Sequence, residues 1–279
     1  MEPYIDTHVH THHSAWDCTC PMDRYLDRIR EGFVSAIGFA DHYHPFMEIE
    51  PEMEERRNSP FLFNCDRYAK DIRAAKEEGL NVYMGLEVTH DYNQDINTHA
   101  MAELKRQDYD YVIGSIHRVG PVAVSRGDYQ KDVVDAAHMA NVINQYYDGI
   151  LDILRFPQYT VIGHIDIYKR PLKKDHPLVA KNLGLIAERT EEVAKAVAHS
   201  GKIVEINTSS FSRAYGDFLP NRDFLSRFIA YGGERVCFAS DAHDVARLNG
   251  NFAQAREFVL SLGLKYIFYP WEGGKATKL

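Results

Sequence analysis

The chain has 279 residues, of which 45% are hydrophobic and 26% charged, and its formal net charge is −8 at pH 7. A chain of this length forms one large α/β barrel or two smaller domains. The acidic balance and the lack of a block rich in lysine and arginine argue against a surface for nucleic-acid polymers or anionic membranes. Since no apolar run reaches about 18 residues, no membrane span is expected.

The start of the chain and its cysteines predict the compartment. The first residues contain no basic segment followed by an apolar one, so no secretory signal is expected. Cys18 and Cys20 are too close for an easy disulfide, Cys237 falls in an apolar run, and Cys65 stands alone. A reduced, cytoplasmic protein is the simplest interpretation.

Short apolar runs that end in polar side chains recur along the chain. Runs of this length, rich in valine, isoleucine and tyrosine, predict buried parallel strands. The carboxyl ends of such strands meet at one rim, which is where β/α barrels carry their active sites. The runs cover residues 4–10, 36–42, 82–87, 111–117, 161–166, 204–207 and 236–243.

Helical patterns separate these runs. Strands that alternate with helices form βα units and a parallel sheet, so we predict one α/β domain over residues 1–279. The segment 45–60 is a glutamate-rich excursion, which is either a solvated loop or a rim loop that covers the site. The predicted helices cover residues 22–31, 66–78, 133–154, 177–200, 224–231 and 252–262.

The polar residues at the strand ends predict a metal site. His8 and His10 point to the same side of a strand, because side-chain direction alternates with period two. Buried charged groups must be paired or coordinated, so many such groups at one rim favour metal binding. The further candidate ligands at strand ends are His42, Glu87, His117, His164, Asp241 and His243.

This ligand set predicts the kind of metal and the chemistry. Imidazole and carboxylate ligands without clustered thiolates suit Zn, Mn or Fe. The ligands outnumber those that one catalytic zinc needs, so two or three divalent ions are expected, with Glu87 as the candidate bridge. Such ions hold a bridging hydroxide at neutral pH and stabilise an in-line displacement. Phosphoester hydrolysis is therefore favoured, and carboxamide hydrolysis stays open.

The motifs resemble those of the PHP (polymerase and histidinol phosphatase) superfamily over essentially the whole chain, in particular its histidinol-phosphate phosphatase branch. The resemblance implies a distorted seven-stranded, TIM-like β/α barrel with a trinuclear metal centre. The motifs that carry it are Asp6-x-His8-x-His10 with Ser14, Ala40-Asp41-His42, Gly85-Leu86-Glu87, Ser115-Ile116-His117, Gly163-His164-Ile165-Asp166, Glu205-Ile206-Asn207-Thr208 and Ser240-Asp241-Ala242-His243.

The resemblance also implies how the ligands are shared. The third ion needs a residue from the loop after the first strand, for which Asp17 is the candidate and His12, His13, Cys18 and Cys20 are local alternatives. The implied sets are His8, His10, Glu87 and Asp241 for the first ion, Glu87, His117 and His164 for the second, and His42, His243 and Asp17 for the third.

Cations beside the metals would bind the substrate phosphate, since a guanidinium matches phosphate geometry. By resemblance to the histidinol-phosphatase branch, Arg170 stands at the place of one phosphate-binding arginine, with Lys169 beside it. Arg213 is the candidate for the second, and Arg118, directly after His117, is a further one.

The most specific hypothesis is hydrolysis of L-histidinol phosphate, a step of histidine biosynthesis, with Asp241 or His243 handling the proton of the leaving alkoxide. The alternatives are a phosphoesterase of the same superfamily for nucleotide or sugar phosphates, an amidohydrolase-type deaminase, and a scaffold with a decayed site. The deaminase is disfavoured because Ser115-Ile116-His117 stands where those enzymes carry a bridging lysine. The expected partner is a small phosphorylated substrate, and the sequence does not specify an oligomeric state.

Overall fold

The structure is a computed structural model that describes residues 4–14, 17–50, 62–271 and 273–279. Its strands are short, and most of them are buried along their whole length. Within the described residues the strands are β1 Ile5–Val9, β2 Ala36–Phe39, β3 His42–Tyr43, β4 Val82–Met84, β5 Glu87–Thr89, β6 Ile113–Ser115, β7 Val161–Ile162, β8 Ile203–Asn207, β9 Val236–Ala239, β10 Tyr266–Phe268 and β11 Ala276–Lys278.

Nine of these strands form two parallel sheets, which confirms the predicted α/β class. One sheet has the order β1-β2-β4 and the other the order β3-β5-β6-β7-β8-β9, while β10 and β11 form an antiparallel pair. Backbone hydrogen bonds also run between the sheets: His10 N donates to Ala242 O and Asp241 N to His8 O, both at 2.9 Å. The end of β1 therefore lies beside the segment that follows β9.

The runs 36–42 and 82–87 were each predicted as one strand, but the structure interrupts both. Phe39 O and Gly85 O each accept a hydrogen bond from the Tyr68 hydroxyl, at 2.9 and 2.8 Å. Gly85 is required at this point, because a Cβ there would overlap the Tyr111 ring. The interruptions place His42 and Glu87 at the starts of β3 and β5, where they are register partners.

Helices connect the strands. Asparagine and aspartate side chains cap several of them, as Asp135 does at the start of α5, which shortens the predicted helix 133–154. The described helices are α1 Met22–Arg30, α2 Phe46–Ile49, α3 Cys65–Glu77, α4 Gln94–Glu103, α5 Ala136–Ile153, α6 Pro177–Ala180, α7 Leu183–Ser200, α8 Arg222–Ala230 and α9 Phe252–Ser261.

Two differences from the predicted helices have local causes. The helix predicted over 177–200 is broken, because the Asn182 side chain donates to Leu178 O at 2.8 Å and to Ala136 O at 3.1 Å. Helix α4 was not predicted, and it is only weakly amphipathic. Of the segment 45–60, residues 46–49 form α2, and residues 51–60 lie outside the described residues.

The two ends of the parallel strands differ in chemistry. Ile113, Ile203 and Trp271 belong to a buried apolar cluster. On β8, Ile203 of this cluster and the polar Glu205 lie on the same face of the strand, because side-chain direction alternates with period two. Trp271 stacks on Tyr83 with ring centroids 3.8 Å apart. The candidate ligands therefore lie on the carboxyl-terminal side of this apolar cluster. Among the described helices none has the length and apolar character to cross a membrane.

Candidate active site

Glu87 is the centre of the polar rim. It is fully buried, and each of its two carboxylate oxygens faces imidazole nitrogens that come from different strand ends. Oε1 lies 2.9 Å from His117 Nε2 and 2.7 Å from His164 Nε2. Oε2 lies 2.7 Å from His42 Nδ1, 3.4 Å from His8 Nε2 and 3.7 Å from His10 Nε2. One carboxylate thus stands between five imidazoles.

Two further carboxylates extend this cluster toward the solvent. Asp241 Oδ1 lies 3.2 Å from His10 Nε2 and 3.6 Å from His243 Nδ1. Asp17 Oδ2 lies 3.3 Å from His42 Nε2 and 3.2 Å from His243 Nε2. The structure therefore brings together all nine residues predicted as metal ligands, including the early-loop candidate Asp17.

The local alternatives to Asp17 face elsewhere. His13 Nε2 lies 3.0 Å from Asp71 Oδ2 on α3, and the His12 ring packs against the His13 ring. The Cys18 thiol lies 3.2 Å from the backbone oxygen of His243. Cys20 is only partly buried, and its thiol lies near a backbone oxygen of its own loop. Asp17 is the residue of this loop whose side chain reaches both His42 and His243.

Buried carboxylates orient the first two ligands. His8 Nδ1 lies 2.7 Å from Glu205 Oε2, so the opposite ring nitrogen faces Glu87. Asp41 acts on His10 through Ser14. Its Oδ1 accepts from Thr11 N at 2.6 Å and from the Ser14 hydroxyl at 2.7 Å, and Ser14 Oγ lies 3.1 Å from His10 Nδ1. Such supporting hydrogen bonds set the direction and tautomer of metal-binding histidines.

Several buried atoms of the cluster have no hydrogen-bond partner among the described residues, which provides a test of whether metal ions fit. A buried polar atom without a partner costs roughly 1–3 kcal/mol. Divalent cations between these atoms would satisfy them, and imidazole with carboxylate is a ligand set that zinc, manganese and iron accept. The unpartnered atoms are His8 Nε2, His10 Nε2, His42 Nδ1 and Glu87 Oε2.

The donor groups are also grouped as a multinuclear site requires. Three overlapping sets of ligand atoms each lie within 4.8 Å of one another. Glu87 belongs to two of the sets and so connects them. The sets are His8, His10 and Glu87; His42, Glu87 and His117; and His10, His42 and His243.

The pKa values of the cluster shift in both directions. Burial lowers the pKa of His10, and the neighbouring His42 and His243 lower it further. Burial likewise lowers the pKa of His117. Burial raises the pKa of Glu87, but the surrounding imidazoles outweigh this and bring it well below its ordinary value. Burial also acts to lower the pKa values of His8, His42 and His243, but the carboxylates of Glu205, Glu87 and Asp17 outweigh it and raise them. Metal ions that bind these imidazoles would displace their protons.

Arg170 lies beside the carboxylate of Asp241, and Arg213 is close enough for the charge of Asp241 to act on it. Arg170 is largely buried, with its guanidinium 3.6 Å from Asp241 Oδ2 and donating to Ser125 O at 2.7 Å. Arg213 lies on the exposed loop after β8, and its Nε donates to Ser209 O at 3.2 Å. Both arginines leave hydrogen-bond donors for a ligand at the rim.

The structure places the other two predicted substrate cations in ion pairs. Lys169 is 4% exposed, and its Nζ lies 2.7 Å from the buried Asp166 Oδ2. The Arg118 Nε donates to Asp91 Oδ2 at 2.6 Å, and its guanidinium also binds Glu50. These contacts occupy both cations with protein carboxylates.

Three residues that contribute to the site were not predicted to do so, although Glu205 and Asn207 belong to one of the motifs of the resemblance. Glu205 binds the His8 ring, and Asn207 Nδ2 donates to Glu205 Oε1 at 2.7 Å and to Asp241 Oδ2 at 3.2 Å. The His44 ring centroid lies 4.9 Å from that of His42. The spacing His42-x-His44 repeats that of His8-x-His10 and could have revealed His44, whereas Glu205 precedes the end of its strand.

The sequence matches the model of the PHP domain family over residues 6–209. Over 87% of this chain and 81% of the relative, it is 24% identical to a probable histidinol-phosphatase of Schizosaccharomyces pombe. A probable histidinol-phosphatase of Deinococcus radiodurans is 23% identical over 94% of this chain and 95% of the relative.

The fold is similar to that of two solved structures. One is the histidinol phosphate phosphatase of Lactococcus lactis in complex with zinc, L-histidinol and phosphate, with a TM-score of 0.75, 24% identity and 99% coverage of both chains. The other is a putative histidinol phosphatase of Listeria monocytogenes, with a TM-score of 0.75 and 14% identity over 90% of this chain and 99% of that one.

Proposed function

The chain belongs to the PHP domain family, and from this premise we propose that it is a phosphoric monoester hydrolase that releases phosphate from L-histidinol phosphate. The observation that carries the proposal is the buried cluster around Glu87, whose unpartnered atoms fit divalent ions, beside Arg170. The relatives named as probable histidinol-phosphatases, and the neighbouring fold that binds zinc, L-histidinol and phosphate, support this substrate.

We further propose that the cluster holds two to three divalent ions of zinc, manganese or iron. Glu87 would bridge them, with Asp17, His42 and His243 completing the outermost position. When bound, the ions would supply positive charge for the phosphoryl oxygens and a hydroxide nucleophile at neutral pH. The grouping of ligand atoms into three overlapping sets supports this arrangement.

The chain's own residues would bind and orient the phosphate. Arg170, close to the buried Asp241, would donate to a phosphoryl oxygen with a guanidinium that Ser125 O already orients. Arg213 would approach from the loop after β8. Asp241 or His243, adjacent at the rim, would pass the proton to the leaving alkoxide.

The same premise bears on the architecture. We propose that the two parallel sheets form one distorted seven-stranded barrel within a single domain over residues 1–279. The hydrogen bonds that join His10 to Ala242 and Asp241 to His8 support it, because they place β1 beside β9. A cytoplasmic location and a small phosphorylated substrate as the partner belong to the same proposal.

Phosphate release from a panel of small monoesters tests the substrate. Purified protein reconstituted with zinc, manganese or iron would be given L-histidinol phosphate, nucleoside monophosphates and sugar phosphates, with metal content measured on each sample. We expect the highest kcat/KM with L-histidinol phosphate and two to three ions per chain. Efficient hydrolysis of a nucleotide or sugar phosphate with little release from L-histidinol phosphate would instead assign the alternative phosphoesterase function.

A further inference from the structure

A rigid turn after β9 presents an arginine that the functional proposal does not use. Arg247 ends the short 3-10 helix Val245–Arg247, four residues after His243. Leu248, directly after it, is 4% exposed and packs in the core. Asn249 N donates to the buried Asp6 Oδ2 at 3.1 Å. The backbone that carries Arg247 is therefore anchored on both the core and β1.

The acidic residue of this turn does not neutralise Arg247. Asp244 Oδ1 instead accepts a hydrogen bond from Ala246 N at 2.8 Å. Arg247 is exposed, and in the described part of the chain its guanidinium has no hydrogen-bond or ion-pair partner. A guanidinium on an anchored turn loses side-chain entropy but little backbone entropy when it binds a ligand, because its backbone is already fixed.

The turn faces the loop of Arg213. Asn251 Nδ2 lies 3.4 Å from Ser212 Oγ, which joins the two loops beside these arginines. Partial burial lowers the pKa of Arg213, and the positive charges of Arg170 and Arg247 lower it further. The contact between the two loops thus brings Arg213 and Arg247 to the same part of the rim, where Arg170 and Asp241 also act on the charge of Arg213. Guanidinium groups that are brought together in this way favour an anion between them.

We propose that Arg247 is a substrate-binding residue that binds the phosphoryl group of the substrate together with Arg213. The inference rests on the proposed function in that it takes the phosphate of a monoester as the ligand. Arg170 would hold that phosphate from the buried side, and Arg213 with Arg247 from the solvent side. A guanidinium pair would bind the phosphoryl oxygens with parallel N–H donors.

Binding of inorganic phosphate, measured by calorimetry on the metal-loaded protein, tests this role apart from catalysis. We expect Arg247→Ala to raise the Kd for phosphate roughly tenfold and Arg247→Lys to recover part of the loss. The matched control is Arg155→Ala. Arg155 follows α5, has a side chain 78% exposed and pairs with Asp152. The Kd of the Arg155→Ala variant for phosphate is expected to equal that of the parent protein. Metal content and the thermal midpoint should be unchanged in all variants.

A second readout separates this proposal from the substrate assignment. With any monoester that the parent enzyme hydrolyses, Arg247→Ala should raise KM and leave kcat nearly unchanged. An unchanged Kd for phosphate in Arg247→Ala, or a fall in kcat without a change in KM, would overturn the role of Arg247. Failure of the parent enzyme on L-histidinol phosphate alone would overturn the substrate and leave the phosphate-binding result intact.

Discussion

The ligand cluster around Glu87 and the arginines of the rim loops differ in how they are built. Glu87, His8 and His10 are fully buried on or beside strands, and their neighbours hold their direction. Arg213 and Arg247 lie on exposed loops that hydrogen bonds anchor. Arg213 Nε donates to Ser209 O, and the other guanidinium donors of the two arginines have no partner among the described residues. The side chains of the cluster are in place before a substrate binds, whereas the arginines obtain their partners from the substrate.

The two regions differ in the source of the free energy with which they bind metal ions and phosphate. In the cluster, buried atoms without partners raise the free energy of the metal-free protein, so ions stabilise the fold as well as the reaction. On the loops the arginines are exposed to solvent, and the free energy of anion binding comes mainly from placing the anion between several positive charges. Substitutions in the first region should therefore change metal content, and substitutions in the second should change phosphate binding.

The largest effect is expected from Glu87→Gln, which keeps the shape of the side chain and removes its charge. Since Glu87 faces five imidazoles, the variant should bind fewer ions and lose activity on the order of 10³-fold or more. Metal content by mass spectrometry and kcat/KM on the same sample measure both. Full metal content with normal turnover would contradict the central position of Glu87.

The effect of Arg170→Ala on activity should be intermediate between the effects of substitutions in the Glu87 cluster and on the rim loops. Its guanidinium is near the buried Asp241 and is oriented by Ser125 O, so its loss should reduce kcat/KM by about 10²-fold. Metal content should be unchanged, because arginine does not ligate metals. Steady-state kinetics with metal analysis measure both quantities, and loss of bound metal would show that Arg170 instead supports the cluster.

Glu205→Gln tests the support of a ligand from outside the cluster. The variant keeps a hydrogen-bond acceptor for His8 but loses the charge that the imidazole faces. Metal affinity should fall by about 10- to 100-fold, as is typical when a carboxylate behind a histidine ligand is removed. Competition titration with a chelating dye measures the affinity. An unchanged affinity would mean that strand geometry alone orients His8.

The smallest effect on catalysis is expected from Arg118→Ala. Its ion pairs with Asp91 and Glu50 are partly buried, so the variant should lose about 1 kcal/mol of stability. Its kcat/KM should stay within about threefold of the parent, because the guanidinium is occupied by carboxylates. Urea unfolding and kinetics measure the two values. A tenfold rise in KM would restore Arg118 as a substrate-binding residue.

The sequence by itself determined the α/β class and the candidate ligands at the strand ends. Both follow from local periodicity, because apolar runs read as parallel strands and alternate residues share a face, as His8 and His10 do. The same rule did not reveal the role of Glu205, which lies two residues before the last residue of β8.

Only the tertiary structure decided which polar groups meet. The interruptions after Phe39 and before Glu87 depend on Tyr68, a residue of another element. Arg118 and Lys169 were predicted to face the substrate, and their ion pairs with Asp91 and Asp166 become visible only in three dimensions. Strand geometry is periodic and local, whereas a long side chain on a loop takes its direction from contacts with distant parts of the chain.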